Sequence, residues 1–288
     1  MTRPDPDFNS QVVGILSKAL ERYAVKLHGF TLMPDGYVAL ATYDDPESMA
    51  GFHCYLNTNL SKVVSRLRGP CDVVFPRRYE AVELSDEPAV ALERLRRLLA
   101  LPVDQNWVST PLDWPGVSCA RSLMTGEPLR GGRWTDRTAY HRAVASGADV
   151  TLEDFTEDRE VYFEPLPSAD HLSTSVYGRR VESLVREISA EARRRHRRDD
   201  TVPRGLAAIA ALDSESRSAT ERSVRRPWFY VLDEDLKEAL RVLLLGVMAQ
   251  YAAAAAELKR GNRHARFPLH TFPPTLGFVR NVELLEPG

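Results

Sequence analysis

The stretch LMPDGYVALAT, residues 32–42, decides how the first half of the chain is read. At its centre, Pro34 presets φ and Gly36 accepts φ > 0, with Asp35 between them, which is a turn signal with a mechanism. The flanking runs KLHGFTLM (26–33) and YVALATY (37–43) are short and apolar, so the segment predicts a β-hairpin.

Working outward, Asn9 or Ser10 can cap a helix carrying Val12, Val13, Leu16, Leu20, Tyr23 and Ala24 at helical spacing. Asp45-Pro46 starts a second helix, with Met49, Phe52, Leu56, Leu60, Val63, Val64 and Leu67 on one side and Gly69 at the C-terminal cap position. DVVFPRRYEAVEL (72–84) reads as one or two strands broken at Pro76. Asp86 and Pro88 open a third helix with Leu92, Leu95, Leu98 and Leu99. The order helix, hairpin, helix, strand, helix predicts an α+β sandwich with helices on one face of an antiparallel sheet. This domain is expected over 1–130, with a linker or irregular stretch at 131–170, where Gly131-Gly132 and many polar residues stand. A mainly helical region is expected over 171–288, with helices near 173–198 and 233–260, the second stopped by Gly261. The tail ARFPLHTFPPTLGFV (265–279) is expected to pack back onto that last helix as irregular chain.

With 288 residues, 43% hydrophobic and 27% charged, the composition is that of a soluble globular protein. A net charge of −2 excludes coating of nucleic acid by bulk charge, so any such binding requires local basic patches. Cys54, Cys71 and Cys119 are odd in number and form no C-x-x-C pair, which suggests neither a disulfide frame nor a zinc site and points to a reducing cytoplasm. The N-terminal MTRPDPDFNS shows no secretory signal. VLLLGVMAQYAAAAA (242–256) is shorter than the roughly 20 apolar residues a bilayer needs. It is expected to be a buried helix, with no membrane partner.

Four further segments fall in a recognisable order: MPDGYVAL (33–40), FPRRYEAV (75–82), RLLALPVDQNWV (97–108) and WPGVSC (114–119). Over about residues 23–122 the chain resembles the REP-associated tyrosine transposases, a branch of the single-tyrosine HUH transposases of bacterial insertion sequences. The resemblance implies a ferredoxin-like antiparallel sheet that grips folded single-stranded DNA on a basic face. It also implies two metal-binding histidines and a nucleophilic tyrosine. Those histidines match Gly36 and Val38, neither of which has a donor atom for Mg²⁺ or Mn²⁺. The tyrosine matches Arg97 or its neighbours, and no tyrosine occurs between Tyr79 and Tyr140. A phenol needs such a metal to attack phosphate near neutral pH, so the family's cleavage chemistry has no parts to run on.

Other residues are weighed against plainer roles. His28 and His53 lie near the hairpin as alternative metal ligands, or as structural histidines. Tyr37 and Tyr79 are replacement nucleophiles, or residues packed against the sheet. The run at Arg193, Arg194, Arg195, Arg197 and Arg198 is either a solvated helix end that suits the dipole or a phosphate-contacting patch. Arg222, Arg225 and Arg226 beside Trp228, Phe229 and Tyr230 suit single-stranded nucleic acid, or a core edge. Lys62, Arg66, Arg68, Arg77, Arg78 and Arg97 complete the expected nucleic-acid-binding set. No cofactor motif occurs: G-x-G-x-x-G, the P-loop, H-E-x-x-H and G-x-S-x-G are all missing. The leading expectation is a catalytically inactive, transposase-like protein that binds hairpin or single-stranded DNA. The alternative is a structural or protein-interaction module, as a homodimer or with another protein, and an active nicking enzyme stands third.

Overall fold

A computed structural model describes residues 2–69, 74–75, 79–211 and 228–274, together with the backbone of 284–285. The chain is mixed α+β, with two small antiparallel sheets and two short parallel strand pairs among the described residues. It opens with α1 (Pro6–Arg22), whose start lies earlier than the sequence suggests. Asp5 is the cap, accepting the Phe8 amide at 2.8 Å, and Pro6 fills the first turn, where a missing N–H costs nothing. β1 (Val25–Met33) and β2 (Gly36–Tyr43) form the expected hairpin, turning at Pro34 and Asp35. α2 (Pro46–Arg68) begins at Asp45, whose carboxylate accepts the Ser48 amide, and ends at Gly69 with φ +85°. Of residues 72–84, only β3 (Glu83–Leu84) is strand among the described residues. α3 (Pro88–Asp104) and the short α4 (Ala120–Thr125) follow.

The stretch expected to be irregular linker is instead ordered as β4 (Leu129–Thr135), α5 (Arg137–Ala145) and β5 (Thr156–Val161). β4 and β5 pair antiparallel and pack on α1. The glycines that imitate a linker are the reason the packing works. A Cβ on Gly132 would sit 2.7 Å from Val13 Cγ1, and one on Gly14 would sit 2.3 Å from the Arg133 carbonyl oxygen. Only bare backbone lets helix and strand approach this closely. α6 (Thr174–Asp199), α7 (Gly205–Ala210), β6 (Phe229–Tyr230), α8 (Glu234–Lys259), β7 (Phe267–Pro268) and β8 (Leu284–Leu285) complete the chain. β6 pairs in parallel with β3, and β8 with β7.

The helices do not lie on one face of the hairpin. Leu27, Phe30 and Leu32 of β1 join α1 and α2 in one core, toward which Tyr37, Ala39, Ala41 and Tyr43 of β2 also pack. Met33 and Leu40 join a second core built from α3, α4 and α6. α6 therefore shares a core with the first half of the chain instead of belonging to a separate C-terminal region. β1 is buried almost throughout because both its faces are covered. Its second edge is used as well: the Leu32 amide donates to the Val117 carbonyl, the Cys119 amide to the Phe30 carbonyl, and the Glu164 amide to the Leu27 carbonyl, all at 2.8–2.9 Å.

α8 corrects a second expectation. It is helical as read, but not buried: only Ala254 and Leu258 are covered, by Ala265 and Phe267 of the returning tail. No other described element packs along it to a comparable degree. The tail does fold back, with Tyr251 donating to the Phe272 carbonyl at 3.0 Å, although β7 makes part of it strand and 275–279 lie outside the described residues.

This layering predicts a contrast within the hairpin. Phe30→Ala removes a fully buried ring between the helices and should destabilise the fold by about 3–5 kcal/mol. Val38→Ala, at a side chain 44% exposed, should change stability by no more than about 0.5 kcal/mol. Urea unfolding of both variants measures the difference, and equal effects would mean the layers are misassigned.

Candidate nucleic-acid interface

The positions that the resemblance aligns with metal-binding histidines lie on the α3 side of the hairpin. Side chains alternate along a strand, so Gly36 and Val38 share a face with Leu40, which packs on the α3 core. Val38 pairs across the hairpin with Thr31, and neither it nor Gly36 offers a metal donor. Among the described residues no three His, Cys, Asp or Glu side chains are grouped so as to hold a metal ion. The residues present therefore do not fit the metal that the resemblance implies. Arg97 lies on the exposed side of α3, paired with Glu93 at 2.7 Å. The α3 face that packs inward carries Leu95, Leu98 and Leu99.

The two candidate nucleophiles point the other way. Tyr37 is stacked on Phe30 with ring centres 5.4 Å apart, and Tyr79 is stacked on His53 at 4.3 Å. Tyr37 donates its hydroxyl proton to Asn57 Oδ1 at 3.0 Å, so His53 Nδ1–H must be the donor in the 2.8 Å bond to the Tyr37 oxygen. His53 Nε2 then accepts from the Tyr43 hydroxyl at 2.9 Å. Both ring nitrogens are thus occupied in a buried chain of hydrogen bonds. Burial raises the Tyr37 and Tyr43 phenols well above their ordinary range and depresses His53 to about 4. A neutral, doubly bonded histidine between two reluctant phenols is a structural network, not an activated nucleophile. His28 is held likewise, between Thr42 Oγ1 at 2.9 Å and the Glu164 carbonyl at 3.3 Å, and burial lowers its pKa too.

The basic residues divide into separate groups. α2 packs against α1 and the hairpin, and it carries Lys62, Arg66 and Arg68. Lys62 and Arg66 are both exposed, and Arg66 donates to the Gln11 side chain. Arg68 binds the Arg3 carbonyl, pairs with Asp5 at 3.0 Å and stacks over Phe8. Burial disfavours both guanidinium charges, and Arg68 through these contacts fastens the N-terminal segment, while Arg66 stays exposed. Arg77, Arg78, Arg222, Arg225, Arg226 and Cys71 lie outside the described residues.

The other group surrounds an open cleft of about 580 Å³ between α3 and α6. Arg96, Arg194, Arg195 and Arg198 line it with Glu191 and Asp104, over a floor that includes Ala100, Val103, Ile188 and Ala192. Arg96 pairs with Glu191, while Arg195 donates to the Val103 carbonyl at 2.7 Å and reaches Asp104 at 3.5 Å. Arg198 pairs with Asp199 at 2.8 Å. Arg193, Arg194 and Arg197 form no ion pair among the described residues and are exposed; Arg194 lines the cleft, whereas Arg193 and Arg197 stand on the solvent side of α6 outside its lining. Sequence reading found the α6 arginines but missed Arg96, because only folding sets α3 against α6. Its spacing from Leu95 and Leu99 does place it at the edge of the buried face. The chain matches no protein-family model, no curated protein and no solved structure.

The buried histidine predicts a pH dependence. Folded His53 titrates near 4 whereas the unfolded residue titrates near 6.5, so the unfolded state binds the extra proton between these values. Stability should be fully present above about pH 6.5 and fall by the order of 3 kcal/mol as pH drops toward 4. His53→Gln should flatten that part of the profile while leaving the share due to His28. Denaturant midpoints measured at successive pH values test this, and a variant with an unchanged slope would acquit His53.

Proposed function

We propose that the chain is a transposase-like protein that binds hairpin or single-stranded DNA without cutting it. In this reading the layered hairpin is the remnant of a ferredoxin-like sheet of the REP-associated tyrosine transposase kind, working in the cytoplasm. The observation that carries the reading is the arginine run at the C-terminal end of α6, with Arg194 lining the α3–α6 cleft, Arg193 and Arg197 exposed outside it, and none of the three with an acidic partner among the described residues. Arg193 and Arg197, like Arg194 and Arg198, are four residues apart on one helix, and such like-charged pairs cost about 0.2–0.5 kcal/mol each. A phosphate chain lying along α6 would turn that repulsion into attraction. Arg97 carries its charge at the position that matches the family's nucleophile, which suits holding phosphate over attacking it. A second reading, a protein-interaction module on the same scaffold, is favoured by the apolar surface of α8.

The arginines and a hairpin-forming oligonucleotide supply the test. Wild type should bind with an affinity that falls with salt. Replacing Arg193, Arg194 and Arg197 with alanine should lower the logarithmic salt slope by about 2, from about 0.7 per lost contact on a single strand. Incubation with Mn²⁺ should yield no tyrosyl-DNA adduct. Binding and slope that survive the triple substitution in a folded variant would remove nucleic acid from this surface, and a labelled adduct would overturn the loss of cleavage.

A further inference from the structure

We infer that α8 is a dimerisation helix that pairs antiparallel with α8 of a second copy of this chain; the inference is independent of the nucleic-acid reading. The helix is about 39 Å long at 1.5 Å per residue, and its most apolar 18-residue window is only 6% buried. An exposed apolar surface of this extent marks an interaction site. The face toward Tyr251, Ala254 and Leu258 receives the returning tail. The opposite stripe runs through Val242, Leu245, Ala249, Ala252 and Ala256 at spacings of three and four residues, with Val242 62% and Leu245 47% exposed.

Three features select the occupant. By length and composition the helix could cross a bilayer, but its uncharged run 242–256 spans about 22 Å, short of the roughly 30 Å of a bilayer core, which favours a protein occupant over lipid. The stripe is bulky toward its N-terminal half and small toward its C-terminal half. Antiparallel pairing about an axis near Val247 sets Leu245 against Ala249 and Val242 against Ala252 of the second copy, large into small, whereas parallel pairing stacks alanine on alanine. The charges are self-complementary in the same sense. Asp233, Glu234 and Asp235 stand at the N-terminal end, and Lys259 and Arg260 at the other. In this register Glu234 meets Arg260 and Asp235 meets Lys259, while parallel pairing sets like charge on like. An interface that presents the same patch twice is the arrangement two-fold symmetry requires. The apolar stripe supplies the affinity and the end charges fix the direction.

Sedimentation equilibrium of the full chain at micromolar concentrations should show a reversible dimer. Glu234→Lys with Asp235→Lys should weaken it by about tenfold at low salt, and adding Lys259→Glu with Arg260→Glu in the same chain should restore it. Leu245→Glu should leave monomer. If that variant loses its helix by circular dichroism, the charge reversal and its rescue still decide. The inference is overturned by a wild-type monomer, by a dimer indifferent to the reversal, or by reversal without rescue. It is equally overturned if the monomer floats with phosphatidylglycerol vesicles, which would make lipid the occupant.

Discussion

Coverage of β1 on both faces and both edges is the constraint from which the rest of the structure follows. A strand in that position must present apolar side chains to both sides, and FTLM does so, with Phe30 and Leu32 toward α1 and α2 and Met33 toward α3. The bulge at His28 is part of this arrangement. The register slips between Leu27 and Gly29, so Leu27 and Phe30, three apart in sequence, face the same core. Without that extra residue either Val25 and Leu27 or Phe30 and Leu32 would be turned to the wrong layer. The displaced imidazole is buried, and its bonds to Thr42 and the Glu164 carbonyl offset the cost of burying a polar ring. The same carbonyl and its neighbouring amide tie the chain after β5 to β1, so the bulge also anchors the stretch that composition presents as a linker.

The layering decides which way each residue at the hairpin tip faces. In any strand, residues two apart share a face and their neighbour faces away. The positions of Gly36 and Val38 open toward α3, whereas Tyr37 belongs to the α2 side with His53, Asn57 and Tyr43. No rotamer change carries Tyr37 through the sheet, so its hydroxyl stays on the face opposite Gly36 and Val38. Its hydrogen bonds and stacking also secure α2 to the hairpin, so it has a structural role that accounts for it fully.

Local signals were legible in the sequence, and juxtapositions were not. Pro34-Asp35-Gly36, Asp45-Pro46 and Gly261 mark their turn, cap and stop because the chemistry is contained in two or three adjacent residues. The first cap was misplaced because Asp5 lies between two prolines, Pro4 and Pro6, in a stretch that reads as coil, although Pro at the first helical position is itself a start signal. Gly131-Gly132 was misread for a deeper reason. A glycine required for close approach and a glycine required for flexibility are the same residue, and only the distance to Val13 separates them. The apolarity of α8 was also clear, but apolarity reports a demand for cover without saying whether the same chain supplies it.

Charge shows the same division between local and assembled properties. The arginines near the end of α6 gain from the helix dipole and lose through their own i,i+4 repulsion, and the two effects are of similar size. The helix alone therefore neither requires nor forbids the cluster. What distinguishes its members is the wall they face. Glu191 and Asp104 engage Arg96 and Arg195, and Asp199 engages Arg198. Arg193, Arg194 and Arg197 keep their charge uncompensated among the described residues, in a chain whose net charge is −2. Because the Debye length is about 8 Å at physiological salt, a polyanion on α6 would sense those few guanidinium groups and little of the acidic remainder. The overall charge therefore says little about the local field along this end of α6.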